Sequence, residues 1–249
     1  MIVAAHKPYW MPDDPVYLPV QVGAAGRDSL GFQRDDEGEN ISDKNPHYCE
    51  LTGLYWAWKN LDADYIGLVH YRRYFSKGLF GEKKQRILGR EELEKKLQDT
   101  DVLLPKPRHY WIESNYSQYA HAHHAADLDQ TREILQEKYP EYITAFDRSM
   151  SRRSGHRFNM FVMKKTLLDK YCAWLFDILF ELEKRLDISA YSRNDSRVFG
   201  FVSERLLDVW INTNKVEYQN TSYVFLESQN WFAKGGRFLK RWYTGEKIV

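Results

Sequence analysis

The sequence predicts one α/β domain built on a mixed, mainly parallel sheet with helices on its faces. Short apolar runs alternate with segments of helical periodicity along most of the chain, and this alternation is typical of layered parallel sheets. The length of 249 residues is at the upper end of what one hydrophobic core can serve. We therefore expect a single domain rather than two.

Each predicted element follows from its own pattern. Apolar runs bounded by polar, Pro or Gly residues predict strands at 2–5, 16–25, 65–69, 101–105 and 158–163. Apolar residues at intervals of three and four predict helices at 46–60, 90–98, 127–139, 166–186 and 197–210. Two long polar stretches remain, 27–45 and 109–124, and their composition predicts loops that face a ligand.

The composition argues against several kinds of protein. Lys and Arg number 36 against 35 Asp and Glu, so a formal charge of +1 supplies no basic field for nucleic acid. Cys49 and Cys172 lie among large apolar neighbours, which favours two reduced, buried thiols. The first residues lack the apolar stretch of a secretory signal, and no segment has the roughly 18 uninterrupted apolar residues of a membrane span. We expect a cytoplasmic protein.

Common phosphate-binding and nucleophile motifs are also missing. The chain has no G-x-x-x-x-G-K-[ST] loop, no G-x-G-x-x-G after the first strand and no G-x-S-x-G elbow. The usual NTPases, dinucleotide enzymes and esterases are therefore disfavoured. The aromatic content of 15% suits stacking on sugar rings as well as core packing.

A dense polar cluster, His70-Tyr71-Arg72-Arg73, directly follows the apolar strand at 65–69. Ligands of open α/β sheets bind at the carboxyl ends of strands, and guanidinium groups bind diphosphate oxygens well. The alternative is that one arginine pairs with an acidic residue of the loop at 27–45 while the other is solvated. If the segment is extended, His70 and Arg72 share one face while Arg73 lies on the other.

Three histidines, His121, His123 and His124, fall in the second polar stretch. Their spacing matches no standard zinc pattern and no Cys accompanies them, so a metal cluster is disfavoured. Binding of substrate hydroxyls, or acid/base work together with Asp127, fits better because His titrates near neutrality. A solvated loop with a helix cap at Asp127 remains the alternative.

Two further positions combine polar chemistry with apolar surroundings. Glu204 and Arg205, with Arg197 two turns earlier, would place a general base beside phosphate-binding charge, or else form an ordinary ion pair on a helix surface. Asn159 opens a predicted strand, where its amide either binds a specific partner or caps the strand end.

Long strings of the chain resemble a domain family, formerly of unknown function, found in bacterial capsular polysaccharide, exopolysaccharide and O-antigen glycosyltransferases. The strings with most detail are CELTGLYWAWKN at 49–60, GLVHYRRYF at 67–75 and RVFGFVSER at 197–205. Shorter ones lie at 5–9, 21–24, 35–46, 159–161 and 171–176. The resemblance extends from the first strand to about Trp210.

This resemblance implies a glycosyltransferase-A-like fold and a UDP-sugar donor. It further implies transfer of a hexose, galactose or galactofuranose first, to a growing lipid-linked glycan at the inner membrane face. We separately hypothesise direct displacement by the acceptor hydroxyl, which would invert the anomeric centre. We accordingly expect a nucleotide-sugar-binding half at 1–105, an acceptor-side half at 106–230 and a basic aromatic tail at 231–249. That tail leaves peripheral contact with the inner membrane as an open expectation.

The resemblance also assigns roles to residues. The expected catalytic residues are Glu204, Asp127 and His123. The expected donor-binding residues are His6, Lys7, Gln21, Gly23, Asn40, Ser42, Lys44, His70, Arg72, Arg73 and Arg205. The expected acceptor-binding residues are His124, Tyr119 and Asn159.

No metal ligand is assigned. Enzymes of this fold usually carry Asp-X-Asp at a strand end to hold Mn²⁺ or Mg²⁺, and here the comparable place is His-Tyr-Arg-Arg. Positive side chains there would offset the charge of the leaving group directly, although a divalent metal stays an open alternative. Asp62-Ala63-Asp64 precedes the strand and is interpreted as a turn. Two other functions are considered: a non-catalytic nucleotide- or glycan-binding module, and a scaffold whose tail lies on an anionic membrane.

Overall fold

The computed structural model describes residues 1–227. Ten strands are present in that range, and they are listed here in chain order: β1 Ile2–Ala5, β2 Leu18–Gln21, β3 Gln33–Arg34, β4 Tyr65–His70, β5 Arg73–Ser76, β6 Val102–Pro105, β7 Arg108–His109, β8 Ser154–Gly155, β9 Phe161–Lys164 and β10 Gln219–Phe225. The predicted tail at 231–249 lies outside the described residues.

The helices of the described range are α1 Asn45–Tyr48, α2 Leu51–Asn60, α3 Arg90–Leu97, α4 Asn115–Ala122, α5 Ala125–Lys138, α6 Ile143–Ser151, α7 Lys165–Arg185 and α8 Val198–Thr213. Short 3-10 turns lie at Ser42–Lys44, Pro140–Tyr142 and Asp195–Arg197. Within residues 1–227, no helix has both the length and the apolar character needed to cross a membrane.

Eight strands form the main sheet, in the order β3-β2-β1-β4-β5-β10-β6-β9. The half from β3 to β4 is parallel. Beyond β4 most neighbours are antiparallel, and β9 pairs with both β6 and β4, which closes the last five strands into a small barrel. The α/β class is therefore confirmed, but the mainly parallel sheet was wrong, because antiparallel pairings outnumber parallel ones in the described range.

The physical reason for this mixture is visible at the end of β4. Only Tyr71 and Arg72 separate β4 from β5, and two residues can join antiparallel neighbours but are too few for a parallel crossover. The polar composition of this segment hid the second strand. Helices α2, α7 and α8 pack against the face of the sheet that carries Ile2 and Ala4. Their apolar residues Leu51, Leu175 and Leu206 are among the fully buried side chains there.

Three predicted elements differ from the structure. The helix predicted at 46–60 is two helices, because Cys49 adopts a positive φ of 55° between them. The segment predicted as a loop at 109–124 contains α4, whose first turn is capped by the Ser114 hydroxyl. The strand predicted from residue 158 begins at Phe161, because Phe158 and Asn159 have positive φ values of 78° and 52°. The three left-handed residues Cys49, Phe158 and Asn159 lie beside the site described next.

Candidate functional site

The candidate site lies where the parallel strands end. β1 is parallel to both β2 and β4, so Ala5, Gln21 and His70 end at the same edge of the sheet. This is the edge at which open α/β sheets bind ligands. Side chains from the loops after these strands, from the β4–β5 hairpin and from the start of α8 meet there.

Positive side chains gather around the end of β1. Burial lowers the pKa of His6, and the nearby charges of Lys7, Arg72, Arg197 and Arg27 lower it further. We call Lys7, Arg27, Arg72 and Arg197, together with the neutral His6 on which their charges act, the cationic cluster. Arg27 and Arg197 come from the loop after β2 and the turn before α8, so distant parts of the sequence contribute to one positively charged surface.

The β4–β5 hairpin separates the two adjacent arginines. His70 and Arg73 are directly paired across the hairpin, so they, rather than His70 and Arg72, share a face. Arg72 belongs to the turn, is 45% exposed and binds Glu227 at 3.0 Å. The predicted alternation was wrong because the chain reverses at Tyr71 and Arg72 instead of remaining extended, and neither arginine binds the acidic loop.

Arg73 is held in a way that leaves its charge available. Its guanidinium carbon lies 3.7 Å and 4.2 Å from the ring centres of Phe158 and Phe225. Its Nε is buried and has no hydrogen-bond partner among the described residues. Burial lowers its pKa to about 10, while the carboxylates of Glu204 and Glu50 oppose that shift. Arg73 therefore stays charged at neutral pH and retains an unused donor.

His70 supports the hairpin rather than adding charge. Burial, followed by the positive charge of Arg73, lowers its pKa to about 3, so the ring is neutral at physiological pH. Since a carbonyl oxygen only accepts, Nε2 carries the proton and donates to the Phe158 oxygen at 2.6 Å. The contact holds the left-handed turn under Arg73.

Glu50 was missed by the sequence predictions and lies at the centre of the site. Its Oε1 accepts a hydrogen bond from Asn159 Nδ2 at 2.7 Å, and Asn159 Oδ1 accepts one from Ser203 at 2.8 Å. The preceding residue, Cys49, accepts from Arg197 Nε at 3.1 Å. Burial raises the pKa of the Glu50 carboxyl. The Asn159 amide therefore binds specific partners, Glu50 and Ser203, and does not act as a simple cap of the strand, which begins at Phe161.

Glu204 and Arg205 form the wall on the α8 side. Arg205 Nη1 donates to Glu204 Oε2 at 3.1 Å, and its Nη2 donates to Gln118 of α4 at 2.8 Å. The Nε of Arg205 is buried without a partner among the described residues. The Glu204 side chain is 19% exposed. These two residues therefore form a partly buried ion pair. The charge of Glu204 also acts on Arg73, whose pKa it raises, so Glu204 faces the site.

Asp127, predicted as catalytic, is only 1% exposed. Its two oxygens accept from the Tyr119 and Tyr191 hydroxyls at 2.8 Å and 2.7 Å. Both carboxylate oxygens are therefore occupied inside the helical layer. Tyr119, predicted to bind acceptor, is fully buried in the same contact.

The two predicted histidines of this region are paired with Asp195. His123 Nδ1 lies 3.0 Å from Asp195 Oδ1, and its ring stacks on Phe201 at 4.2 Å. Burial lowers the pKa of His123, although Asp195 acts in the opposite direction. His124 stacks on Tyr191 at 4.0 Å. His123 lies close to the Glu204–Arg205 wall, whose charges also act on its pKa, while His124 lies further out.

Several predicted donor-binding residues instead organise the loop after β2. The Asp35 carboxylate accepts from the backbone N–H groups of Gly23 and Ala24, each at 2.9 Å, and from the Ser42 hydroxyl at 2.5 Å. Gln21 binds the backbone of Asp28 and Leu30. The Asp35 carboxylate therefore occupies the backbone N–H groups of Gly23 and Ala24.

The other two residues of this group are also engaged. Asn40 contacts the backbone of its own loop, and Lys44 pairs with Glu183 of α7 at 2.9 Å. Gly23 has a positive φ of 65°, and an added Cβ would lie 2.4 Å from the Asn45 side chain, so no larger residue fits there. In the structure these residues therefore hold the loop after β2 in place, and donor binding by them stays a prediction.

The residues at the end of β4 do not fit a divalent cation. Hard cations require several oxygen ligands, and the hairpin carries His70 and Arg73 instead. No group of three or more His, Cys, Asp or Glu side chains in residues 1–227 is arranged to hold a metal. Asp62 and Asp64 line a surface cleft at the start of β4, which is the opposite end of the strand from His70. Metal dependence stays a prediction, and no step below passes through a metal.

Residues 1–215 match the family described as Domain of unknown function (DUF4422). The chain belongs to this family. It is also similar to a solved structure of WbbM, a bifunctional glycosyltransferase, in its apo form, with 32% sequence identity and a TM-score of 0.85. The match covers 91% of this chain and 45% of that one, so this chain spans less than half of WbbM. The comparison with curated proteins gave no match.

These comparisons confirm the resemblance proposed from the sequence and the glycosyltransferase-A-like α/β class. The residues of the candidate site that the sequence predictions missed are Glu50, Cys49 and Arg27, while Arg197 was noted only beside Glu204. Local sequence gave no signal for Glu50, because residues 46–60 have the periodicity of one continuous helix.

Proposed function

We propose that this protein is a glycosyltransferase that moves a hexose from a UDP-sugar to a growing bacterial surface polysaccharide. The observation that carries this proposal is the cationic cluster of His6, Lys7, Arg27, Arg72 and Arg197 at the carboxyl ends of β1 and β4. A nucleoside diphosphate is the anion whose size and charge suit such a surface. The likeness to WbbM, a glycosyltransferase, supports the reaction class.

The arginines would act on the leaving group. As the anomeric C–O bond breaks, negative charge develops on the diphosphate, and fixed positive charges nearby stabilise it without reorganising. Arg73 is prepared for this role, because its ring sandwich fixes the guanidinium while its Nε has no partner among residues 1–227. Direct displacement by an acceptor hydroxyl then inverts the anomeric centre.

The finer identity of the substrates follows from the family resemblance. A galactosyl or galactofuranosyl donor is our first choice, with a lipid-linked glycan as the acceptor in capsule, exopolysaccharide or O-antigen synthesis. The acceptor would approach from the α4–α8 side, where Glu204, Arg205 and His123 line the wall.

A panel of UDP-sugars tests this function. A true donor should raise the melting temperature, because a ligand that binds only the folded state stabilises it by mass action. The same donor with a suitable acceptor should release UDP, and activity should persist in EDTA. UDP binding without turnover for every donor would indicate a binding module instead. Loss of activity in EDTA with recovery in Mn²⁺ would disprove the metal-free arrangement.

A further inference from the structure

We propose that Glu50 is the catalytic base that removes the proton from the acceptor hydroxyl, with Asn159 as its positioning residue. This inference rests on the proposed function and names a residue that the sequence predictions left out. Glu50 lies between α1 and α2, partly exposed, at the edge where β1 and β4 end. Its carboxylate is held by the Asn159 amide at 2.7 Å.

Backbone strain converges on this carboxylate. Among the described residues, five that are not glycine have positive φ, and three of them surround Glu50: Cys49, Phe158 and Asn159. Such conformations are unfavourable for residues other than glycine and cluster at functional sites, where the surrounding structure enforces them. Here Cys49 directs the following Glu50 into the site, and the 158–159 turn presents both the amide that holds Glu50 and the ring that supports Arg73.

The charges around Glu50 suit a base next to a leaving anion. The charged and titratable groups that face it are Arg73 from β5, Arg197 from the turn before α8 and the Cys49 thiol. Burial raises the pKa of Glu50 and makes the carboxylate a stronger base than a solvated glutamate. Burial also raises the pKa of the Cys49 thiol, to about 11, so that thiol is not a competing base.

The other carboxylates of the region are less suited. Asp127 is enclosed, with both oxygens bonded to tyrosine hydroxyls. Glu204 faces the site, but its carboxylate is already engaged in an ion pair with Arg205 at 3.1 Å. Glu50 combines partial exposure with a single neutral amide as its hydrogen-bonding side-chain partner in the described range.

The step balances as a displacement. The acceptor oxygen forms a bond to the anomeric carbon while the bond from that carbon to the β-phosphate oxygen breaks. UDP departs with the bonding electron pair, and the acceptor proton moves to the Glu50 carboxylate. Product release then returns the proton to solvent.

The test compares Glu50→Gln with Glu204→Gln in the full chain, using the UDP-sugar that the wild type turns over. Glu50→Gln keeps the shape and still accepts from Asn159, so UDP affinity and melting temperature should stay near wild type. Its kcat should fall about 10²- to 10⁴-fold, which is the usual contribution of a positioned base. Glu204→Gln should retain more activity. The reverse order of these two losses would overturn the assignment.

Asn159→Gly gives a readout that a merely structural role would not move. Glycine adopts the φ of 52° freely but removes the amide that lowers the pKa of Glu50, so the acidic limb of kcat/KM should shift to higher pH. An acidic limb that does not move would contradict the role of Asn159.

Two outcomes separate the proposed function from the Glu50 assignment. Wild-type protein that binds UDP but releases none from any donor would overturn both. Active wild-type protein with an equally active Glu50→Gln variant would overturn only the assignment.

Discussion

Two carboxylates in this protein share a raised pKa but sit in opposite surroundings. Burial is the main cause for both Glu50 and Asp127. Asp127 is bonded to two tyrosine hydroxyls inside the layer of α4 and α5. Glu50 faces Arg73 and Arg197 and is flanked by left-handed residues. Burial alone therefore does not mark a functional carboxylate. Carboxylate oxygens with unused hydrogen-bonding capacity, and charged neighbours, are the better markers.

The largest expected effect concerns the Asp127 region. Asp127→Ala leaves the hydroxyls of the buried Tyr119 and the half-buried Tyr191 without their acceptor, and each buried unsatisfied group costs about 1–3 kcal/mol. We expect the free energy of unfolding in urea to fall by about 2–4 kcal/mol. UDP affinity of the folded variant should be unchanged.

The matched control for this change is Asp129→Ala, which removes an exposed carboxylate on the same helix that accepts from a single tyrosine, Tyr116. Its effect on stability should stay within about 1 kcal/mol. A large loss of UDP affinity or turnover in an otherwise folded Asp127 variant would contradict the structural role.

The sequence predicted the frame of the molecule better than the site. Strands such as β1 and β4 and helices such as α7 are long apolar patterns that local periodicity reveals. Strand β5 was hidden because it is short and begins with a charged residue, Arg73, directly after the hairpin turn. The pairing of His70 with Arg73 followed from that reversal, which no alternation rule could anticipate.

Glu50 shows why the rest of the site was not predicted. It stands within a segment that reads as one continuous helix, and the break at Cys49 depends on a left-handed residue that composition does not signal. Its partners, Asn159 and Arg197, lie more than a hundred residues away in sequence and meet it only through the sheet and α8. Conversely, Asp127 was predicted as catalytic from local composition, while its tyrosine partners were not visible.

The next effect tests the charge beside Glu50. Arg73→Leu keeps apolar packing between Phe158 and Phe225 but removes the guanidinium. We expect UDP affinity, measured by calorimetry, to weaken about 10- to 100-fold, since a charge-assisted contact contributes about 1.5–3 kcal/mol. Arg73→Lys should recover only part of it, because a compact ammonium does not stack as a planar guanidinium does.

Arg132→Gln provides the control for removing one arginine charge, because Arg132 pairs with Asp147 on the helical surface. It should bind UDP like the wild type. If Arg73→Leu and wild type bind UDP with equal affinity, the diphosphate does not lie at Arg73. The positive charge beside Glu50 would then not distinguish the Glu50 region from the Asp127 region.

A smaller effect is expected at the exposed member of the arginine pair. Arg72 is 45% exposed and already paired with Glu227, so solvent and that carboxylate screen its charge. Arg72→Gln should weaken UDP binding by less than about tenfold, and the loss should shrink as salt is raised because screening lengths shorten. An effect larger than that of Arg73→Leu would show that the turn arginine is the main phosphate ligand.

The smallest effect is a pH dependence of stability that Glu50→Gln should remove. A carboxyl whose pKa is raised in the folded state contributes stability that is fully present below its unfolded pKa of about 4.3 and is lost as pH rises through the raised folded value. Glutamine does not titrate, so the difference in unfolding free energy between Glu50→Gln and wild type should increase with pH across that window and then level off. Urea titrations at several pH values measure it, with Glu141→Gln, at an exposed position, as the control that should show no such rise. Arg73 and Arg197 counteract the effect of burial on the pKa of Glu50, whereas the Asp127 oxygens are bonded to tyrosine hydroxyls. If the difference in unfolding free energy between Glu50→Gln and wild type does not change with pH, the arginines compensate burial fully. Glu50 and Asp127 would then differ in their surrounding charges but not in function.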